Sequence, residues 1–137
     1  MALSMYINFN GNCRDAVQFY SKVFNQPEPY FLTYKEGNTT VDKNVKMTKE
    51  MEESIMHTSL HIGGTEVFFS DMPSNFNFSR GNSMSIAVFY ENVDEAKKIF
   101  NSLSKDGKIF VPLHLLPNKT YYGLVVDKFD ISWTIQV

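Results

Sequence analysis

YINFNGNCRDAVQFYSKVF, from Tyr6 to Phe24, is answered eighty positions later by IAVFYENVDEAKKIFNSLS, from Ile86 to Ser104. Each stretch reads as a strand, an Asn, and a helix of the same apolar phase. Asn12 answers Asn92, Asp15 answers Glu95, Ala16 answers Ala96, and Phe19-Tyr20 answers Ile99-Phe100. A repeat of this kind makes the chain two copies of one small module, and such halves bury their apolar faces together.

Working outward, the first strand is expected over about Met5 to Asn10, closed by Gly11. Asn12 then stands at an N-cap position with Asp15 three residues on, and Cys13, Ala16, Val17, Tyr20, Val23 and Phe24 keep the spacing of one helical face. Pro27 and Pro29 stop that helix. A strand near Tyr30 to Tyr34 leads into a polar connection from Glu36 to Ser54, with a short helix expected around Met47 to Glu53. IMHTSLHI and TEVFFSD flank Gly63-Gly64, and two β-rich runs joined by two glycines spell a hairpin. In the second half Met84 to Tyr90 reads as a strand, and Asn92 with Glu95 caps a helix that carries Val93, Ala96, Ile99, Phe100 and Leu103 and is followed by Gly107. Ile109 to Leu113, Tyr121 to Val126 and Ile131 to Gln136 complete a second βαβββ set. The expectation is a single α+β domain over residues 1–137, with one half at 1–71, a linking loop at 72–83 and the other half at 84–137.

The bulk properties narrow the function classes. A chain of 137 residues with 43% hydrophobic and 15% aromatic residues can bury a sizeable core. Its formal charge of −2, with both signs interspersed, gives no basic stripe for DNA or RNA. One cysteine allows no intramolecular disulfide, the start MALSMYINF lacks a charged segment followed by a long apolar one, and no run reaches the length of a bilayer span. The expected setting is the cytoplasm, with no membrane and no nucleic acid as partner.

The order of elements, the paired halves and the phrases NFNGNCRDAVQFYSKVF, IMHTSLHIGG, SMSIAVFYENVDEA and YGLVVDKFDISW resemble the vicinal oxygen chelate superfamily, which includes the glyoxalases and bleomycin-resistance proteins. The closer resemblance is to its PhnB-like branch, and it covers the chain outside residues 36 to 54. It implies two βαβββ modules forming a half-open, curled mixed sheet, with a cup inside and helices outside, commonly as a homodimer. Members of the branch often carry the name 3-demethylubiquinone-9 3-methyltransferase. The residues give that name no support, because a methyl transfer from S-adenosylmethionine normally relies on a strand, glycine-rich turn and helix that the chain lacks. Asn25-Gln26 and Asp130 stand where the branch usually has glycine; Asn and Asp tolerate the left-handed conformation, so the fold is expected to survive both.

The resemblance also implies where a divalent ion would sit: on the first and last strands of each half. The repeat puts Met5, Phe69, Ser85 and Thr134 there, and a slip by one residue brings no His or carboxylate to replace them. Such a site needs about three protein ligands of those types, so no metal site and no cofactor are expected. Asp71 and Gln136, two residues further on, would add only two isolated oxygens.

Other candidates carry two readings each. His57 and His61 share one strand face but stand roughly 13 Å apart at about 3.3 Å per residue, too far to hold one ion. His61 is expected to face solvent; His57 is either a hydrogen-bonded structural residue or a polar group lining the cup. Cys13, in the first helical turn, is either an activated thiol or a small buried residue, and its place among Ala16 and Val17 favours burial. Alternation on the second-half strand puts Ser85, Ala87 and Phe89 in the cup and Ile86 and Val88 against the helix. Phe69 is placed inside by the same register, although alternation in the first strand favours Ile7 and Phe9 against the helix and allows a slip by one. Arg80, in the linking loop, is a cation at the rim or a solvated surface charge. The expected ligand-binding set is Phe69, Phe89, Ser85, His57 and Arg80.

These readings lead to a metal-free homodimeric binder of a small apolar or aromatic molecule, with no reaction assigned. Two alternatives stand beside it. One is a lyase or dioxygenase using a divalent metal in the superfamily's manner, and the other is an interaction protein whose cup is filled by its own side chains. Whether residues 36–54 serve as a lid or a dimer contact is open at this point.

Overall fold

Strand β1 (Tyr6–Phe9) runs into Gly11, whose φ of +93° belongs to the region that side chains avoid, and helix α1 (Cys13–Val23) begins two residues later. The helix forms because Cys13, Ala16, Val17 and Tyr20 recur at helical spacing, and all four are fully buried. Asn25, at φ 50°, ends it in the left-handed conformation expected there, with Gln26 N donating to Ser21 O at 2.7 Å. The computed structural model describes residues 1–37, 44, 46–73 and 76–137. It divides into two compact units, Met1–Ser79 and Arg80–Val137, and that boundary falls inside the stretch expected to link the halves.

In the first unit, β1 is followed by β2 (Leu32–Thr33), the short helices α2 (Tyr34–Gly37) and α3 (Lys49–Glu53), and the strands β3 (Ile55–Ile62) and β4 (Thr65–Asp71). The sheet order is β1-β4-β3-β2, with β1 parallel to β4 and the other pairs antiparallel. Gly63 (φ 57°) and Gly64 (φ 79°) make the expected two-residue turn between β3 and β4, with Ile62 opposite Thr65. The strand expected over Tyr30 to Tyr34 is shorter. Thr33 Oγ1 accepts from Glu36 N and starts a helical turn, which leaves Tyr34 buried with its hydroxyl donating to Asp71 O at 2.8 Å. The polar connection from Glu36 to Ser54 and the loop at 72–83 lie partly outside the described residues.

The second unit repeats the plan with β5 (Ile86–Phe89), α4 (Val93–Ser104), β6 (Lys108–Leu115), β7 (Tyr121–Val126) and β8 (Ser132–Gln136). Its sheet order is β5-β8-β7-β6, again with one parallel pair, β5 with β8. Ala96, Phe100 and Leu103 of α4 are buried, as are Ile86, Val88, Val125, Trp133 and Ile135 on the sheet. Gly123 permits this contact: a Cβ there would stand 2.8 Å from Phe100 Cε2 and 2.9 Å from Leu113 Cα. At the far end of the unit the Asp127 carboxylate accepts from Trp133 Nε1 at 2.8 Å and from the amides of Phe129 and Ile131, and Asp130 takes φ 62°. The architecture is α+β, two four-stranded mixed sheets of βαβββ order, neither closed.

The two helix starts differ. Asn92 caps α4, its Oδ1 accepting from Asp94 N at 2.9 Å and Glu95 N at 3.0 Å. Asn12 makes no side-chain cap to α1, contrary to the matched capping that the repeat implies. Its place is taken by Asp71, from the end of β4, whose Oδ1 accepts from Gly11 N and Cys13 N at 2.9 Å each.

Candidate functional site

Each sheet has a face turned away from its helix, and alternation decides which side chains reach it. In the first unit the helix side holds Phe9, Phe69 and Tyr20, whose rings stack with centroids 6.4 Å (Phe9–Phe69) and 6.0 Å (Tyr20–Phe69) apart. Phe69 is fully buried there, so its expected place in the cup is corrected: the first-half register is one residue off. Asp71 lies on the same buried side, where its Oδ2 also accepts from Ile55 N at 2.8 Å.

The opposite face carries Tyr6 and Asn8 from β1, Phe68 and Ser70 from β4, and His57 from β3. The Tyr6 hydroxyl and His57 Nδ1 are 3.1 Å apart, in hydrogen bond. Phe68 completes the group, with ring centroids 5.8 Å from Tyr6 and 5.5 Å from His57. Ser70 Oγ donates to Asn8 Oδ1 at 2.7 Å beside it. Burial pushes the Tyr6 phenol above its ordinary pKa, against a smaller lowering by Ser70. Tyr6 and Phe68 were not among the expected site residues, although the alternation of Ile7 and Phe9 in the first strand already pointed to them. His57 falls on this face, and His61, further along β3, is exposed as expected.

In the second unit Ile86 and Val88 are buried and Ser85, Ala87 and Phe89 lie on the open face, the placement alternation gives them. Phe89 is 72% exposed. Ser85 Oγ and Thr134 Oγ1 share a hydrogen bond of 2.8 Å. Arg80 lines a cleft of about 680 Å³ with Lys108, Phe110, Leu124, Val126 and Ser132. A second cleft, of about 650 Å³, lies in the first unit beside the start of α1, between Arg14, Asp15, Glu50 and Ser54.

Cys13 is fully buried on the helix side, and burial, with the Asp71 carboxylate second, pushes its thiol far above the usual range. Among the described residues no group of three or more His, Cys, Asp or Glu is placed to hold a metal ion. At the positions that the resemblance assigns to metal ligands, the open faces carry Tyr6 and Phe68 in the first unit and Ser85 and Thr134 in the second, none of them a usual ligand of a catalytic divalent ion.

Two βαβββ units with sheets of this order define the glyoxalase-like fold of the vicinal oxygen chelate superfamily. The profile of the family described as 3-demethylubiquinone-9 3-methyltransferase matches residues 2–136. Protein YjdN of Escherichia coli (strain K12) is 28% identical over 142 residues, which cover 100% of this chain and 95% of YjdN. Protein PA1353 of Pseudomonas aeruginosa superposes with a TM-score of 0.76 at 22% identity, over 98% of this chain and 96% of the other. The PhnB protein of Bacillus cereus, whose name also carries the family description, gives 0.73 at 26% identity over 98% of both chains. The chain therefore belongs to the 3-demethylubiquinone-9 3-methyltransferase family, the PhnB-like branch of that superfamily. Among the described residues no helix is long and apolar enough to cross a membrane.

Proposed function

We propose that this PhnB-like protein binds a small apolar or aromatic molecule on the open faces of its sheets, without a metal ion or other cofactor, as a cytoplasmic homodimer. The observation that carries the reading is the cluster of Tyr6, His57 and Phe68, three rings within 6.0 Å of one another on the sheet face opposite α1. Aromatic surface with one fixed polar pair is the lining that holds a flat ligand and orients it. Phe89 supplies further exposed aromatic surface on the second unit, and Ser85 with Thr134 supplies polar groups. On the second unit Arg80 adds a cation to the cleft that it lines with Lys108, Phe110 and Asp130. The homodimer reading is supported by β6, an edge strand that exposes Ile109, Phe110 and Leu115.

Methyl transfer, which the family's name states, finds no matching nucleotide-binding unit among the described residues. Gly63-Gly64 is a hairpin turn, and Gly11 stands alone between β1 and α1. The test is titration with the hydrophobic dye 1-anilinonaphthalene-8-sulfonate, followed by fluorescence, on protein purified without chelator and analysed for metal. Saturable binding by metal-free protein, weakened in Phe68→Ala, is the expected result. A requirement for added zinc, nickel or manganese would overturn the metal-free reading, and an unsaturable signal would overturn the binding reading.

A further inference from the structure

We propose that the Tyr6–His57 pair makes the open face of the first sheet selective for hydroxylated aromatic molecules, phenols above all, over their ethers and parent hydrocarbons. This rests on the binding reading above and adds the ligand's chemical class. The hydrogen bond between the Tyr6 hydroxyl and His57 Nδ1, at 3.1 Å, occupies one imidazole nitrogen and leaves Nε2 as the ring's other polar atom. A neutral imidazole carries its proton on one nitrogen only, so the direction of the Tyr6 bond sets what Nε2 presents. If the phenol donates to Nδ1, Nε2 is an N–H donor; if Nδ1–H donates to the phenol oxygen, Nε2 is an acceptor. A ligand hydroxyl both donates and accepts, and so meets either state. An ether oxygen meets only the first, and a hydrocarbon neither.

The surroundings favour a ring as the body that carries this hydroxyl. Phe68 lies 5.5 Å from the imidazole and 5.8 Å from the Tyr6 ring, centroid to centroid, giving a ligand ring an aromatic neighbour. Asn8 and Ser70, polar side chains of β1 and β4 on the same face, are joined at 2.7 Å, and Ser70 also reaches the Tyr6 phenol, which supports the pair from the β4 side. Tyr6 and His57 sit on strands two apart in the sheet, β1 and β3 on either side of β4, so their separation is held by backbone pairing rather than by a loop.

Fluorescence titration with 2-naphthol, 2-methoxynaphthalene and naphthalene tests the inference. The wild-type protein is expected to prefer 2-naphthol to the ether by about five- to tenfold, the worth of one hydrogen bond of about 1 kcal/mol. His57→Phe should remove that preference, and Tyr6→Phe should reduce it about threefold. Thermal melting of each variant shows whether it folds, and Tyr6→Phe, on a half-exposed ring, keeps the test alive if His57→Phe does not. Equal binding of 2-naphthol and its ether by the wild type, alongside measurable naphthalene binding, overturns this inference and leaves the broader binding reading standing. A preference that survives in both variants overturns it as well. If none of the three compounds binds, the binding reading itself fails and this inference falls with it.

Discussion

The Asp71 carboxylate and the Cys13 amide meet at 2.9 Å, so the first turn of α1 is capped by the last residue of a strand fifty-eight positions away. Gly11 N shares the same oxygen, Ile55 N uses the other, and the side chain is 2% exposed. Three backbone donors from three parts of the first unit converge on one buried anion. The cap therefore ties helix, sheet and the start of β3 together, which a local Asn12 cap would not do.

Removing that carboxylate should be costly. Asp71→Ala leaves the buried N–H groups of Cys13 and Ile55, and the part-buried one of Gly11, without their acceptor, at about 1–3 kcal/mol for each buried unsatisfied group. A loss of about 3 kcal/mol or more in urea denaturation is the expected outcome, with Asp71→Asn losing less because one acceptor oxygen remains. A loss below about 1 kcal/mol in the Ala variant would show that water replaces the carboxylate at no great cost.

Stability should also fall in alkali. Burial first, and the Asp71 charge second, push Cys13 far above its ordinary 9.0 and push Tyr34 up to about 12 from 10.0. Both acids stay neutral in the fold at a pH where the unfolded chain has released the proton. The stability they contribute is fully present below the unfolded values and is lost as pH rises toward the folded ones. The urea midpoint should be flat from about pH 6 to 8 and decline above about pH 9, and Cys13→Ala should move the onset upward into the tyrosine range. The same burial predicts that iodoacetamide labels Cys13 at pH 8 only once urea unfolds the protein.

Gly123 marks where α4 meets its sheet. An added methyl there would approach Phe100 Cε2 to 2.8 Å and the Leu113 Cα to 2.9 Å. The first contact can relax by a side-chain shift, and the second is backbone, so trimming Phe100 does not clear it. Gly123→Ala should cost about 1–3 kcal/mol, and Phe100→Leu in the same chain should not restore it. Thermal melting of the three proteins decides the point.

Much of the fold is legible in the sequence because local signals agree with it: two helical faces, the Gly63-Gly64 turn, and Asn25 and Asp130 in the left-handed region. The face of the first strand is not settled so easily. Phe9 and Phe89 correspond in the repeat, yet Phe9 is fully buried and Phe89 is 72% exposed. Both connections to the following helix have the same length, and what differs is Gly11 at φ +93°, with Asp71 drawn under α1 to cap it. Where Phe68 and Phe69 stand side by side, alternation of hydrophobic and polar residues has no contrast to read. The register is then fixed by which neighbour the helix start requires, and so the alternation of Ile7 and Phe9 hints at the open face, while the joining of Tyr6, His57 and Phe68 in one cluster is seen only in three dimensions.

The register has a direct energetic signature in two phenylalanines. Phe69 is fully buried, stacked with Phe9 and Tyr20, so Phe69→Ala should cost about 3–5 kcal/mol as a cavity opens beneath α1. Phe89, exposed on the open face of β5, has little packing to lose, and Phe89→Ala should change stability by about 0.5 kcal/mol. Its effect should fall on ligand binding instead, through the loss of an exposed aromatic surface. Parallel urea denaturation of the two variants separates the cases. Equal losses would mean that Phe89 is packed in solution and that the open face of the second sheet is covered.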